Sequence, residues 1–143
     1  MAWQHPTEVN LSAYFSQEEI DAYRVYMGFD KSNGRLKDPI DLVLEDVAVM
    51  VRGYCHVQMD RSDPFSIPQS LMSSAMVIAR HRILTRMSLE ITEARKADYE
   101  RAMEHLSLVA DGKVLVEPPD GEEDDGARVV PLWGFTFRPN ILR

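Results

Sequence analysis

Apolar residues recur at helical spacing along most of the chain. From Ile40 to Cys55 they stand three or four positions apart, with charged residues on the opposite side of the helix that this spacing predicts. Similar stripes run from Leu71 to Met87 and from Tyr99 to Val109. The pattern therefore predicts three long helices, and we expect the middle one to be the central helix of the core. Its polar side is expected to carry Arg80, His81, Arg82 and Arg86.

Helix start and stop signals add two shorter helices ahead of these three. Thr7 is the expected N-cap of the first, and Ser16-Gln17-Glu18-Glu19 is a capping box that opens the second. Gly28 is expected to end that second helix. The long helices are predicted to start at Asp38-Pro39, Pro68 and Thr92, the last ending at Asp111-Gly112, and the first helix to turn Val9, Leu11, Tyr14 and Phe15 inward. The predicted fold class is all-α: a compact bundle of about five helices, two short and three long.

The composition of the chain changes near Val116. From Glu117 to Asp125 there are six acids and no base, interrupted by prolines and a glycine, so we expect a mobile loop. Val129 to Phe137 is β-branched and aromatic, which favours an extended tail that forms a β-strand or a hairpin. The chain therefore divides into a helical domain, residues 1–116, and a segment, residues 117–143, with an acidic loop and an aromatic tail.

Composition places the chain among ordinary single-domain globular proteins. It has 143 residues, of which 45% are hydrophobic and 27% charged, and its net charge is −7. Its apolar runs are too short to cross a bilayer, its start lacks a secretory signal, and Cys55 is a lone thiol, so we expect a cytosolic product with no membrane partner. The acidic excess repels phosphate and disfavours tight nucleic-acid binding as the main function.

Motifs that carry catalytic or metal chemistry are missing from the sequence. The four histidines show no metal-ligand spacing, and the Asp30–Asp41 stretch has Arg35 where a calcium loop needs glycine. Gly112-Lys113 lacks the rest of a phosphate loop, and Cys55 falls on an apolar helix face, where burial makes a thiol inert. We therefore expect a protein that is not an enzyme and that has no cofactor or metal.

Two groups of residues are predicted to make contacts with other chains. The arginines Arg80, Arg82 and Arg86 alternate in sequence with acids, so we expect them to form ion pairs between subunits or locally. The tail would expose a large apolar patch in a monomer, so we expect it to be disordered when free and ordered against a partner. Its predicted docking residues are Val130, Leu132, Trp133, Phe135 and Phe137.

Three short motifs, taken in their order and spacing, carry a family resemblance. They are P-x-x-L at Pro68–Leu71, A-R-x-x-I-L at Ala79–Leu84, and Y-x-x-A-x-x-x-L with a following G-K at Tyr99–Lys113. Together with the helices around them, from about Pro6 to Val116, they resemble the head-tail connector family of tailed bacteriophages, also called adaptor or head-completion proteins. The acidic loop and the aromatic tail match no motif of that family.

The resemblance implies a structural role in the virion neck, with assembly in the cytoplasm of the host bacterium. About twelve copies would form a ring beneath the portal protein, the other face would receive a tail, stopper or tail-terminator protein, and DNA would pass through the lumen. Such proteins are not enzymes and carry no cofactor. Carboxylates lining a lumen would let DNA slide, and we place Asp38, Asp41 and Glu45 there as a hypothesis, against the alternative of a merely solvated face.

A small DNA-binding helical protein, small-terminase-like or regulatory, is the alternative function. The two short helices would then be halves of a helix-turn-helix. The second of them offers Arg24 alone against Glu18, Glu19 and Asp21, which makes a poor recognition helix.

Overall fold

Within the described residues, five helices form the bundle that the sequence predicts, two of them short and three long. The computed structural model describes residues 3–30, 32, 34, 36–55 and 63–117. The helices are α1 (Glu8–Leu11), α2 (Gln17–Tyr26), α3 (Pro39–Tyr54), α4 (Met72–Arg86) and α5 (Glu93–Ala110), with a 3-10 turn at Gln69–Leu71. A two-stranded antiparallel sheet joins β1 (Trp3–Gln4) to β2 (Ile67–Pro68). The all-α fold class is confirmed.

The helix starts fall at the predicted capping residues. The Ser16 hydroxyl accepts from the Glu19 backbone N–H at 3.2 Å, and the Asp38 carboxylate accepts from the Ile40 N–H at 3.0 Å. Thr92 caps α5 in the same way, accepting from the Arg95 N–H at 3.2 Å. Each side chain satisfies a backbone donor that the first turn of a helix leaves free, so these boundaries are encoded locally.

The start of α4 differs from the prediction. Pro68 was expected to open the helix, but it pairs with Trp3 in the small sheet, and α4 begins at Met72 after the 3-10 turn. Ile67 is fully buried. The pairing joins residues more than sixty positions apart, and a two-residue strand is too short to leave a periodic pattern in the sequence.

The core lies around α4, which packs against α3, α5 and α1. Val43, Val47 and Val51 of α3 and Met76 and Ile83 of α4 are fully buried, as their spacing predicts. The first helix is a partial exception, because Leu11 and Phe15 are buried while Val9 is 78% exposed and Tyr14 is also exposed. A four-residue helix has one inward side, and Leu11 occupies it.

The turn after α4 takes a left-handed conformation without glycine. Gly28 and Gly112 end α2 and α5 with φ of +72° and +78°, but the equivalent position after α4 is Ser88 with φ of +57°. We expect Ser88→Gly to raise the free energy of unfolding by about 0.5 to 1 kcal/mol, since it removes the steric cost of that φ and adds a smaller entropic one. Urea denaturation checks this, with Gly28→Ala expected to destabilise as the opposite control.

Several predictions fall outside the described residues. The acidic loop after Glu117, the aromatic tail and its docking residues lie there, so their conformation and the division at residue 116 stay predictions. Within the described ranges, no helix is both long enough and apolar enough to span a membrane.

Candidate functional site

Arg24 forms the most connected charged cluster at the end of the bundle where α2 ends and α3 begins. Its side chain is only 7% exposed. The guanidinium donates to Asp38 from Nε at 3.1 and 3.2 Å and from Nη2 at 2.8 Å, and to Glu8 from Nη1 at 3.1 Å and through a further short contact. Asp21 accepts at 3.2 Å. These bonds to Asp38 and Glu8 outweigh burial and raise the pKa of Arg24, so its guanidinium stays charged although it is buried.

The three acids predicted to line a lumen have different surroundings. Asp38 is committed to Arg24 and to the cap of α3. Glu45 pairs with Lys37, whose Nζ lies 2.6 and 2.7 Å from the two carboxylate oxygens. Asp41 is exposed and makes no ion pair within the described part of the chain. Partial burial and the nearby charges of Asp38 and Glu45 raise the pKa of Asp41, although Arg24 opposes this.

Arg80, expected on the polar side of α4, is buried instead. It donates to the backbone oxygen of Tyr14 at 3.0 Å and to Asp98 of α5 at 3.2 Å, so its partners are in the same chain. Its long apolar stem crosses the α4–α5 contact while the charged end finds acceptors, which explains how a cation fits there. Arg82 and Arg86 remain on the accessible side, near Met50 and Asp46 of α3 respectively.

Exposed hydrophobic side chains gather at the same end of the bundle as the Arg24 cluster. α2 ends there beside the start of α3, joined by the Arg24–Asp38 pair, and α4 ends there too, with Arg86 3.1 Å from the Tyr23 hydroxyl. We call this surface the apolar end, and it comprises Val25, Tyr26, Met27, Leu42 and Leu89. Val25 is 78% exposed and Tyr26 57%. Several large apolar side chains exposed at one end of a bundle are typical of an interaction surface.

The run Val25-Tyr26-Met27 directly before Gly28 was the signal for the apolar end in the sequence. The sequence analysis did not identify this surface, because the pattern of a single helix does not show which of its apolar residues pack against other elements.

The opposite end of the bundle holds the point where the described chain stops. The Trp3 indole N–H donates to the backbone oxygen of Glu117 at 2.8 Å, and the Glu117 carboxylate accepts from the Ser70 N–H and hydroxyl at 3.1 and 2.6 Å. The Arg52 guanidinium lies 5.5 Å from the centroid of the Trp3 ring. We call these contacts the Glu117 clamp. They fix residue 117 beside the start of α4.

The clamp predicts a pH-dependent contribution to stability. Burial disfavours the charged form of Glu117, but the hydrogen bonds from Ser70 and the neighbouring backbone outweigh it, so its pKa is lowered. A lowered pKa stabilises the fold above the ordinary pKa of the unfolded chain, and this stabilisation is lost as pH falls through the folded value. We expect Glu117→Gln to cost about 1 kcal/mol at neutral pH and almost nothing near pH 3.

Denaturation of the two proteins at both pH values measures this difference. Glu104→Gln, at an exposed position on α5, is the matched control and is expected to have no effect. An equal loss at both pH values would contradict an ionic clamp.

Metal chemistry finds no support in the described side chains. Within residues 3–55 and 63–117, as far as they are described, no group of three or more His, Cys, Asp or Glu residues is placed to hold a metal ion. Cys55 is half-buried, and burial raises the pKa of its thiol to about 11. The described surface thus offers contact areas and ion pairs.

Comparison with known proteins gives one family. No curated protein and no solved structure matches the chain. A family model described as Bacteriophage Mu, Gp36 matches residues 7–130, which is most of the chain and includes all five helices. The chain therefore belongs to the bacteriophage Mu Gp36 family, and it is a phage protein.

Proposed function

We propose that this protein is a structural, non-enzymatic component of the phage neck. About twelve copies form a ring beneath the portal protein, join the filled head to a tail, stopper or tail-terminator protein, and let DNA pass through the lumen. The family match over residues 7–130 is the observation that carries the proposal, because it assigns the chain to a phage. The resemblance of the helical body to head-tail connector proteins supports the neck as its place in the virion.

The geometry of the bundle suits a protein that joins two others. The apolar end and the Glu117 clamp lie at opposite ends of α3 and α4, and the sixteen residues of α3 separate them by about 24 Å. One end presents apolar side chains, and at the other the chain continues into the acidic and aromatic segment. A connector needs two separate contact surfaces, and this arrangement supports that role.

An amber mutation in the gene for this chain tests the proposal. We expect DNA-filled heads and free tails to accumulate separately in the lysate, and addition of the purified protein to join them. Electron microscopy of the lysate and an infectivity assay give the readout. Intact virions without the protein would overturn the proposal, and so would a block before DNA packaging.

Asp41 gives a test of the lumen hypothesis. Of the three acids, Asp41 is the one that is exposed and forms no ion pair among the described residues. Asp41→Lys therefore changes the local electrostatic potential without breaking an ion pair. If Asp41 faces the lumen, a lysine in every copy attracts phosphate, and we expect DNA ejection to slow several-fold. Glu104→Lys on α5 is the control, and equal ejection rates for Asp41→Lys and wild type would leave Asp41 on a solvated face.

The burial of Arg24 disfavours the DNA-binding alternative. Arg24 is the basic residue of α2, and it is buried in the cluster with Glu8 and Asp38. A recognition helix must present donors and positive charge to a groove. A gel-shift assay at low salt measures the remaining affinity, and we expect none that depends on sequence.

A further inference from the structure

A basic depression on α4 has more cations than paired acids among the described residues. It has a volume of about 310 Å³ and is lined by His81, Arg82, Thr85 and Arg86. Arg82 donates to the sulfur of Met50 at 3.2 Å, a weak acceptor, and forms no ion pair with any described carboxylate. Arg86 has Asp46 at 3.9 Å, a long and exposed contact. Of the two guanidinium groups, only that of Arg86 has a carboxylate nearby among the described residues, and that contact is long.

The remaining walls of the depression are also suited to an anionic segment. His81 stacks on Tyr99 of α5 at 3.7 Å between ring centroids, and its buried Nδ1 makes no hydrogen bond. Burial and the charge of Arg80 lower the pKa of His81, so the ring is neutral at physiological pH. Arg86 also donates to the Tyr23 hydroxyl at 3.1 Å, which orients its guanidinium. The depression therefore presents two oriented cations beside a neutral aromatic wall.

We infer that this basic depression binds the acidic run of the same chain, residues 120–125, and that the segment after Glu117 lies back along α4. The run comprises Asp120, Glu122, Glu123, Asp124 and Asp125. Hydrogen bonds between arginine and carboxylate groups are among the strongest in proteins, and here two arginines lie opposite five carboxylates of the run.

Distances along the chain agree with this placement. The Glu117 clamp fixes the start of the segment at Ser70, and Arg82 to Arg86 lie about 18 to 24 Å further along α4. Residues 122–125 are five to eight positions beyond Glu117, which allows a reach of about 17 to 27 Å. A carboxylate tethered at this distance has a millimolar effective concentration, which favours the same chain over a second copy.

The acidic and aromatic residues follow each other along the segment in the same order as the basic depression and the apolar end follow each other along the bundle. After the acids come the aromatic residues from Val129, and beyond the depression comes the apolar end with Tyr26 and Leu89. Docking of the acids would bring the aromatic tail to that apolar end. A partner that takes up the tail must then displace the acids from Arg82 and Arg86. This inference stands independently of the neck function.

Cysteine pairs in the full-length protein test the inference. Thr85→Cys with Asp124→Cys places one thiol at the depression and one in the acidic run. The native Cys55 stays in place, because its raised pKa keeps it a poor nucleophile. The control pair is Lys96→Cys with Asp124→Cys, since Lys96 is exposed on α5 near the level of Arg80 and Asp98 and is not part of the depression.

Mild oxidation at micromolar concentration is followed on a non-reducing gel. We expect an intrachain disulfide at Thr85→Cys about ten times faster than in the control pair, with the preference lost at about 0.5 M salt. Adding Arg82→Gln and Arg86→Gln should also abolish the preference, while circular dichroism verifies that the helices persist. Equal rates for the two cysteine pairs would overturn the inference, and so would a disulfide-linked dimer, which would assign the depression to a second copy.

Discussion

Replacing Arg24 with methionine is expected to lower the free energy of unfolding by about 3 to 5 kcal/mol. Methionine fills similar space, but the carboxylates of Glu8 and Asp38 then lose their bonds to the Arg24 guanidinium while they stay partly buried. Breaking one side of a buried ion pair costs more than the pair itself contributes, because the remaining charge stays desolvated. Urea denaturation followed by far-ultraviolet circular dichroism measures the loss.

The size of this loss is expected to depend on pH. Arg24 opposes the raised pKa of Asp41, so its removal raises the pKa of Asp41 further in the folded state. A carboxylate with a raised folded pKa binds protons more readily when folded, so the variant gains stability as pH falls towards that value. We therefore expect the deficit against wild type to narrow from pH 7 to about pH 5.

Lys37→Met is the matched control for Arg24→Met. Its ion pair with Glu45 is as close as those of Arg24, but the Lys37 side chain is 52% exposed. We expect a loss of at most about 1 kcal/mol, because solvent screens an exposed pair. Equal losses in the two variants would contradict the view that burial gives the Arg24 cluster its importance.

Deletion of residues 129–143 is expected to reduce phage infectivity about 1,000-fold or more. The segment holds three aromatic residues in five positions, Trp133, Phe135 and Phe137, and aromatic side chains dominate the energy of protein interfaces. A loss of more than about 4 kcal/mol at one contact corresponds to that factor. The five helices of the described residues lie before this segment, so the far-ultraviolet circular dichroism of the variant should retain their signal.

Point variants separate the loss of a contact from the loss of chain length. The triple variant of Trp133, Phe135 and Phe137 to serine is expected to reproduce the deletion. Val49→Ser is the control, because Val49 is exposed in the second half of α3 and belongs neither to the tail nor to the apolar end. Normal virion yield from the triple variant would show that these aromatic residues are not needed to join phage heads to tails.

The starts of α2, α3 and α5 and the ends of α2 and α5 were predictable because their causes are local. Ser16, Asp38 and Thr92 each cap a helix within two or three residues of their own position, and Gly28 and Gly112 end helices by their own conformation. The same locality explains why the core positions of α3 follow from spacing alone.

Contacts between distant residues were not predictable in this way. Arg80 takes acceptors from Tyr14 and Asp98, and Glu117 binds Ser70 and Trp3, all on other elements. The sequence analysis therefore expected Arg80 to form an ion pair but placed it on the polar side of α4. Helical periodicity depends on the polarity of residues and does not show which residues are in contact.

The predicted site residues show the same limit. The sequence analysis chose the acids at the start of α3 by residue type and position, but their contacts in the structure differ. Asp38 binds Arg24 and Glu45 binds Lys37. Asp41 forms no ion pair among the described residues. Arg24 and Asp38 are fourteen positions apart, and the sequence between their helices has no helical spacing. The spacing of residues could therefore not predict their contact.

The Glu117 clamp also determines how the bundle bears mechanical tension. A pull on the segment beyond residue 117 is not transmitted through the end of α5 alone, because Ser70 and Trp3 hold Glu117 directly. The load passes to the start of α4, the central helix, and through β1 to its partner strand β2. Force that arrives along the tail is therefore divided among the end of α5, the start of α4 and the small sheet.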